Sequence, residues 1–346
     1  MSKKQTVLFF IIMLLSFSHI FAEKSKNKID GIFFDASYTY WCASEDGLTL
    51  GRAGNFLLGD DPFLLSSNEL LEQSFKYRSG FKVGTGWRND IWILSAEYTW
   101  VRNTTSQTVN SPLLNPLIGN GVWLVAPWFL HRASDGGSLS GTTVNSKWCL
   151  SMDLADLTLK RNFYPGDHLK VTPFGGLRSA FIRQKFNITL TETQGIFSTL
   201  AEQPIHSFNS SNSWSIGPRF GSEAVVFFEK GFGINGQLAF DLLYTRYTKV
   251  FHKEEEPSSQ VYPRGNIFAT MGYQSTLRPV VECALGVKWE KSLSSGGYLS
   301  LLANYDFMVW WDQNMMRQML NQMWNETSVN GNLYLHGVTV SGTFGF

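Results

Sequence analysis

Ten segments of this chain alternate apolar and polar residues with a period of two, and the links joining them are alternately short and long. The segments cover about 32–41, 75–88, 91–102, 146–161, 169–185, 213–228, 234–245, 277–290, 297–311 and 333–346. Only Asn89 and Asp90 separate the second from the third, and Tyr164-Pro165-Gly166-Asp167 turns the fourth into the fifth. The links after the sixth and eighth are short as well, whereas those after the first, third, fifth, seventh and ninth are long. Such a chain puts every long loop on one rim and both termini on the other. That is the layout of a transmembrane antiparallel up-and-down β-barrel with short periplasmic turns and long extracellular loops. A β-sandwich has no reason to sort its loops this way.

The last segment carries a second signal. In Leu333–Phe346, Tyr334, Val338, Val340, Phe344 and Phe346 share one face, and Gly337, Thr339, Ser341, Thr343 and Gly345 share the other. A closing strand that ends on an aromatic fits the insertion signal of an outer-membrane barrel, with Phe344 and Phe346 as its C-terminal anchors. The fourth segment breaks phase: Trp148, Leu150, Met152 and Leu154 are in step, Leu157 and Leu159 are not. A one-residue bulge near Ala155 and Asp156 would restore a single apolar face. Two further strands hidden in a long loop would make twelve, with Val122–Leu130 as the source, although Pro127 argues against a central strand there. A loop folded into the mouth is the other reading of that stretch.

The start of the chain specifies export. Lys3 and Lys4 precede an apolar run from Val7 to Leu15 and a small residue, Ala22, so residues 1–22 read as a signal peptide and 23–346 as a single barrel domain. Removing two lysines and no acids takes the formal charge from +1 to −1, which gives no basic field for nucleic acid. A mean hydropathy of −0.10 looks soluble, but a strand-spanning membrane protein looks the same, because lipid-facing and water-facing residues cancel in any averaging window. Three cysteines remain, Cys42, Cys149 and Cys283, an odd number that leaves at least one unpaired within the chain. Their spacing has no metal signature, and intermolecular disulfides stay open.

Several stretches together resemble the Legionella-type major outer membrane protein family, pore-forming barrels also found in chlamydia-like bacteria. They are TYWCASEDGLTL (39–50), FKVGTGWRNDIWILSAEYTW (81–100), DLADLTLKRNFYPGDHLKVTPFGGLRSAFIRQ (153–184), SWSIGPRFGSEA (213–224), YDFMVWWDQNMM (305–316) and GNLYLHGVTVSGTFGF (331–346). The resemblance implies an outer-membrane pore with no cofactor and no catalysis, and it transfers no ligand residues.

If the apolar faces meet lipid, the opposite faces line a lumen. The expected pore-lining residues are Lys76, Arg78, Lys82, Glu97, Lys170, Arg178, Arg219, Glu223, Asp241, Arg278, Glu282, Lys288 and Asp306, with Asp35 and Asp153 on the same faces. At mid-depth in lipid each basic one would cost on the order of 2–4 kcal/mol, so they must face water or one another. No one-sign ladder is present, so a weak anion preference, centred on Lys76, Arg78 and Lys82, is the most that follows. Ten strands with balanced interior charges are also compatible with a lumen plugged by salt bridges.

Met315, Met316, Met319, Leu320, Met323 and Trp324 repeat at helical spacing and predict an amphipathic helix over the barrel rim. Five histidines follow the signal, three of them expected in long loops, one in a short turn and His336 near the outer end of the last strand. No GxSxG, HExxH or Cys/His cluster accompanies them. The expected function is therefore a porin passing small polar solutes or ions. A non-conducting structural or adhesin barrel, working through its loops, is the alternative. Outer-membrane lipid and the barrel-assembly machinery, acting through the last strand, are the expected partners, and a homo-oligomer is left open.

Overall fold

A computed structural model describes residues 30–55, 69–110, 122–129, 140–141, 143–191, 204–255, 267–293, 297–323 and 331–346. The predicted signal peptide lies outside the described residues. Ten long strands form the barrel: β1 (Gly31–Glu45), β2 (Tyr77–Arg88), β3 (Trp92–Asn110), β4 (Thr143–Arg161), β5 (Leu169–Thr191), β6 (Ile205–Phe227), β7 (Phe232–Glu255), β8 (Gln274–Ser292), β9 (Tyr298–Trp310) and β10 (Leu333–Gly345). Each pairs antiparallel with its neighbours in sequence, and β1 pairs with β10 from Phe33↔Gly345 to Glu45↔Leu333, which closes the sheet on itself. Closure removes every edge, as lipid demands of a spanning sheet.

Short turns join β2–β3, β4–β5, β6–β7 and β8–β9. In the tightest, the Asn89 side-chain oxygen accepts from the amides of Ile91 (2.9 Å) and Trp92 (2.6 Å). Gly231 turns β6 into β7 with φ +81°, a left-handed conformation in which glycine carries no side-chain penalty. On the other rim, Thr49–Asn55, Glu69–Glu72, Val122–Val125 and Ser140–Gly141 make a small separate sheet, and Ile267–Met271 pairs with the outer end of β7. Val122–Val125 therefore adds no barrel strand, and the barrel has ten strands rather than twelve. The helix α1 (Met315–Met323) forms as its spacing predicts, while Trp324 lies outside the described residues.

The expected bulge in β4 does not exist. Its register with β3 and with β5 runs unbroken past Ala155 and Asp156. What changes there is the meaning of the two faces. Below this point Leu157 and Leu159 face lipid and Asp156 and Thr158 face in; above it Trp148, Leu150, Met152 and Leu154 face in, and Asp153 and Lys147 face out. β5 repeats the inversion: Lys170, Thr172 and Arg178 point inward low in the barrel, and Ile182, Phe186, Ile188 and Leu190 point inward above, with Arg183 and Lys185 exposed outside.

The cause is a change of solvent. A spanning strand needs about 9–11 residues, yet β5 and β6 have 23 and β7 has 24. The surplus stands in water, where the ordinary arrangement of apolar inside and polar outside returns. Aromatic pairs mark the two edges of the lipid belt. Phe344–Phe346 (ring centroids 4.8 Å apart) and Phe232–Trp289 (6.4 Å) lie near the turns. Tyr40–Tyr77 (5.4 Å), Phe81–Trp100 (5.3 Å) and Trp214–Tyr244 (5.9 Å) lie near the loops.

Candidate functional site

The lumen is built in layers, each supplied by successive strands at one height. Across its middle runs a buried ion-pair chain from five adjacent strands. Arg178 on β5 donates to both oxygens of Asp156 on β4 (2.7 and 2.6 Å), to Asp241 on β7 (2.8 Å) and to Glu282 on β8 (3.0 Å). Arg219 on β6 donates to both oxygens of Asp241 (3.0 Å) and to Glu282 (2.9 Å). Guanidinium forks suit this task because one group can serve several carboxylates at once. Beside it Asp306 accepts from Thr339, whose hydroxyl accepts from the Trp41 indole (3.0 Å), and Lys82 lies 4.9 Å over the Trp41 ring.

Toward the turns the lumen opens into a polar cavity of about 220 Å³, bounded by Asp35, Lys82, Arg88, Glu97, Lys160, Lys170, Glu223, Lys288 and Glu290 among others. Lys288 pairs there with Glu290 (2.8 Å) and Glu223 (3.4 Å). Gly84 on β2 makes room for the Asp35 carboxylate, which a Cβ at that position would strike.

Toward the loops the lumen ends in an apolar core. On five strands the step from charge to hydrocarbon takes two residues: Asp156 to Leu154, Arg178 to Ala180, Asp241 to Leu243, Glu282 to Val280 and Asp306 to Met308. Loop residues complete the closure. Trp128, fully buried, lies 4.7 Å from the Phe186 ring; its indole donates to the carbonyl of Thr49 (2.8 Å), and its own carbonyl accepts from Ser207 (2.8 Å). Met316 and Leu320 of α1 join the same core, and Arg317 donates to the Pro127 carbonyl (3.1 Å). The stretch after Val125 thus folds into the mouth.

Polar groups are buried in this half as well, Glu45 and His252 among them. Glu45, beyond the outer aromatic edge of the lipid belt, is buried and accepts from Gln184 (2.8 Å). Burial pushes its carboxyl up to about 8, the Gln184 amide offsetting only part of that cost. His252 lies between Asn209 (2.7 Å) and Glu254 (2.7 Å), with no exposure.

Of the sequence-derived lumen residues, Lys82, Glu97, Lys170, Arg178, Arg219, Glu223, Asp241, Arg278, Glu282, Lys288 and Asp306 point into the barrel. Lys76 and Arg78 lie apart from these, exposed near the loop rim; Arg78, opposite Trp41 in the ladder with β1, donates to the Thr104 carbonyl (3.0 Å), so the basic cluster expected on β2 is divided. Asp153 faces outward and pairs with Arg102 (2.8 Å). Asp156, Arg88, Lys160 and Glu290 are the lumen charges that the sequence reading missed. Assuming a bulge hid Asp156, and carrying the period of two to the strand ends would have found the others. Phe344 and Phe346 face outward at the turn rim. His206 and His252 lie on β6 and β7 rather than in loops, because those strands extend beyond the membrane; His131 lies outside the described residues.

No group of three or more metal-ligating side chains occurs among the described residues. The sequence from 33 to 346 matches the family described as Legionella pneumophila major outer membrane protein precursor. The chain belongs to this family. It is a bacterial outer-membrane β-barrel. No curated protein matches it. Among solved structures it is similar to the outer membrane protease OmpT from Escherichia coli, with 13% identity, a TM-score of 0.44, and 94% of this chain and 99% of that one covered. It is also similar to the Pseudomonas putida toluene transporter TodX, with 9% identity, a TM-score of 0.23, and 91% and 89% covered. Likenesses this distant carry nothing about activity.

Proposed function

We propose that this protein is a porin that passes small polar solutes and ions by diffusion, and that the structure represents its closed state. The observation that carries the reading is the placement of charge within the lipid belt. From the turn rim to mid-barrel the lumen is lined by acidic and basic side chains and holds a cavity of about 220 Å³. Buried ion pairs are costly relative to well-packed hydrocarbon, and the same chain packs hydrocarbon well in its outer half. A barrel needed only as a support has no reason to keep charge at lipid depth. Opening requires the loop segment at Trp128 and α1 to leave the mouth and the Arg178 network to admit water.

The apolar closure favours a second reading, a barrel that never conducts and works through its extracellular face. Liposome swelling separates the two. Vesicles carrying refolded protein should swell in small sugars and amino acids at rates that fall with solute size. No swelling in any solute, with the protein folded in the vesicles, would leave the non-conducting reading.

A further inference from the structure

We infer that the cavity at the turn rim is a binding site for a small oxyanion of the phosphate type, which deepens the porin reading by naming the class of solute the lumen holds. Three cations converge on it from different strands: Arg88, the last residue of β2, Lys160 near the end of β4, and Lys170 at the start of β5. Among the described residues none of the three has a carboxylate within ion-pair distance. Two carboxylates of the cavity wall on this side, Glu223 and Glu290, are bonded to Lys288. The turn side of the wall thus carries Arg88, Lys160, Lys170 and Lys288 against these two carboxylates, within a wall that carries six cations and seven carboxylates in all.

Their settings differ from those of solvated lysines. Lys170 is only 6% exposed and faces the cavity. Arg88 stacks 4.1 Å over the Tyr298 ring and leaves its Nε without a hydrogen-bond partner among the described residues. Lys160 lies 5.6 Å over the Phe174 ring. Buried cations are ordinarily paired; here the unmet donors surround a space large enough for several waters or one polyatomic anion. The next layer inward has the opposite balance, with Asp35, Glu97 and Asp306 facing Lys82. An anion drawn to the rim meets that layer as a barrier, so the arrangement retains it at the rim.

The test is calorimetric titration of sodium orthophosphate and pyrophosphate into the refolded full chain in detergent at low ionic strength. Saturable uptake of one anion per chain is expected, tighter for pyrophosphate and weakened by added salt. Lys170→Gln should weaken it at least tenfold, Lys170→Arg should restore it, and Lys291→Gln, on an exposed lysine, should leave it unchanged. Arg88→Gln gives an independent loss should Lys170→Gln fail to fold. Absence of saturable uptake by the wild type, or equal uptake by folded Lys170→Gln or Arg88→Gln, overturns the site. Binding in detergent needs no conduction. A chain that binds but does not conduct refutes the porin alone, and one that conducts without binding refutes this site alone.

Discussion

Arg178 is the residue on which the lumen network depends, since it serves Asp156, Asp241 and Glu282 together. Removing one partner of a buried ion pair leaves the others desolvated and uncompensated, at about 3–5 kcal/mol. Arg178→Met should lower barrel stability by that amount in urea titration of the refolded protein, whereas Arg183→Met on the exposed face of the same strand should change it by less than about 0.5 kcal/mol. Glu45 gives a pH dependence of known sign. Its carboxyl is raised from 4.5 to about 8 in the folded chain, so the folded state holds a proton that the unfolded state has lost between those values. Its contribution is complete below about 4.5 and is lost as pH rises through 8. Thermal unfolding should show a melting temperature that declines across this window, and Glu45→Gln should flatten the decline.

At the level of the strand, the inversion of faces separates what the sequence revealed from what it hid. Existence, order and pairing of all ten strands were legible, because period-two alternation survives whichever side is apolar. The side itself was not. Reading every apolar face as lipid-facing assigns Trp148, Leu150 and Met152 to the outside, and it takes a bulge to accommodate Leu157 and Leu159. The phase break was the informative signal, since it marks where β4 leaves the membrane. Lys76 and Arg78, on β2 and its approach, are exposed near the loop rim without any such inversion, since Tyr77 between them still faces out. Arginine scanning along the outer face of β5 tests the assignment. Leu177→Arg, within the belt, should cost on the order of 2–4 kcal/mol, and Asn187→Arg, beyond it, close to nothing. A uniform cost at both positions would remove the inversion.

For the whole molecule, lipid and water impose opposite rules on one continuous sheet, and the lumen records both. Within the belt the interior holds ions and a cavity; beyond it the interior is a hydrocarbon core completed by loop residues and α1. The closure is local, because Trp128 fills it from a loop rather than from the wall. Trp128→Ala removes a fully buried indole and should destabilise the closure by about 3–5 kcal/mol, while every strand pairing is kept. The direct measurement is single-channel recording of wild type and Trp128→Ala in planar bilayers, with reversal potentials in a salt gradient. The account predicts brief, infrequent openings of the wild type and long openings of the variant at similar unitary conductance. Folded, inserted protein that stays silent in both forms would contradict it.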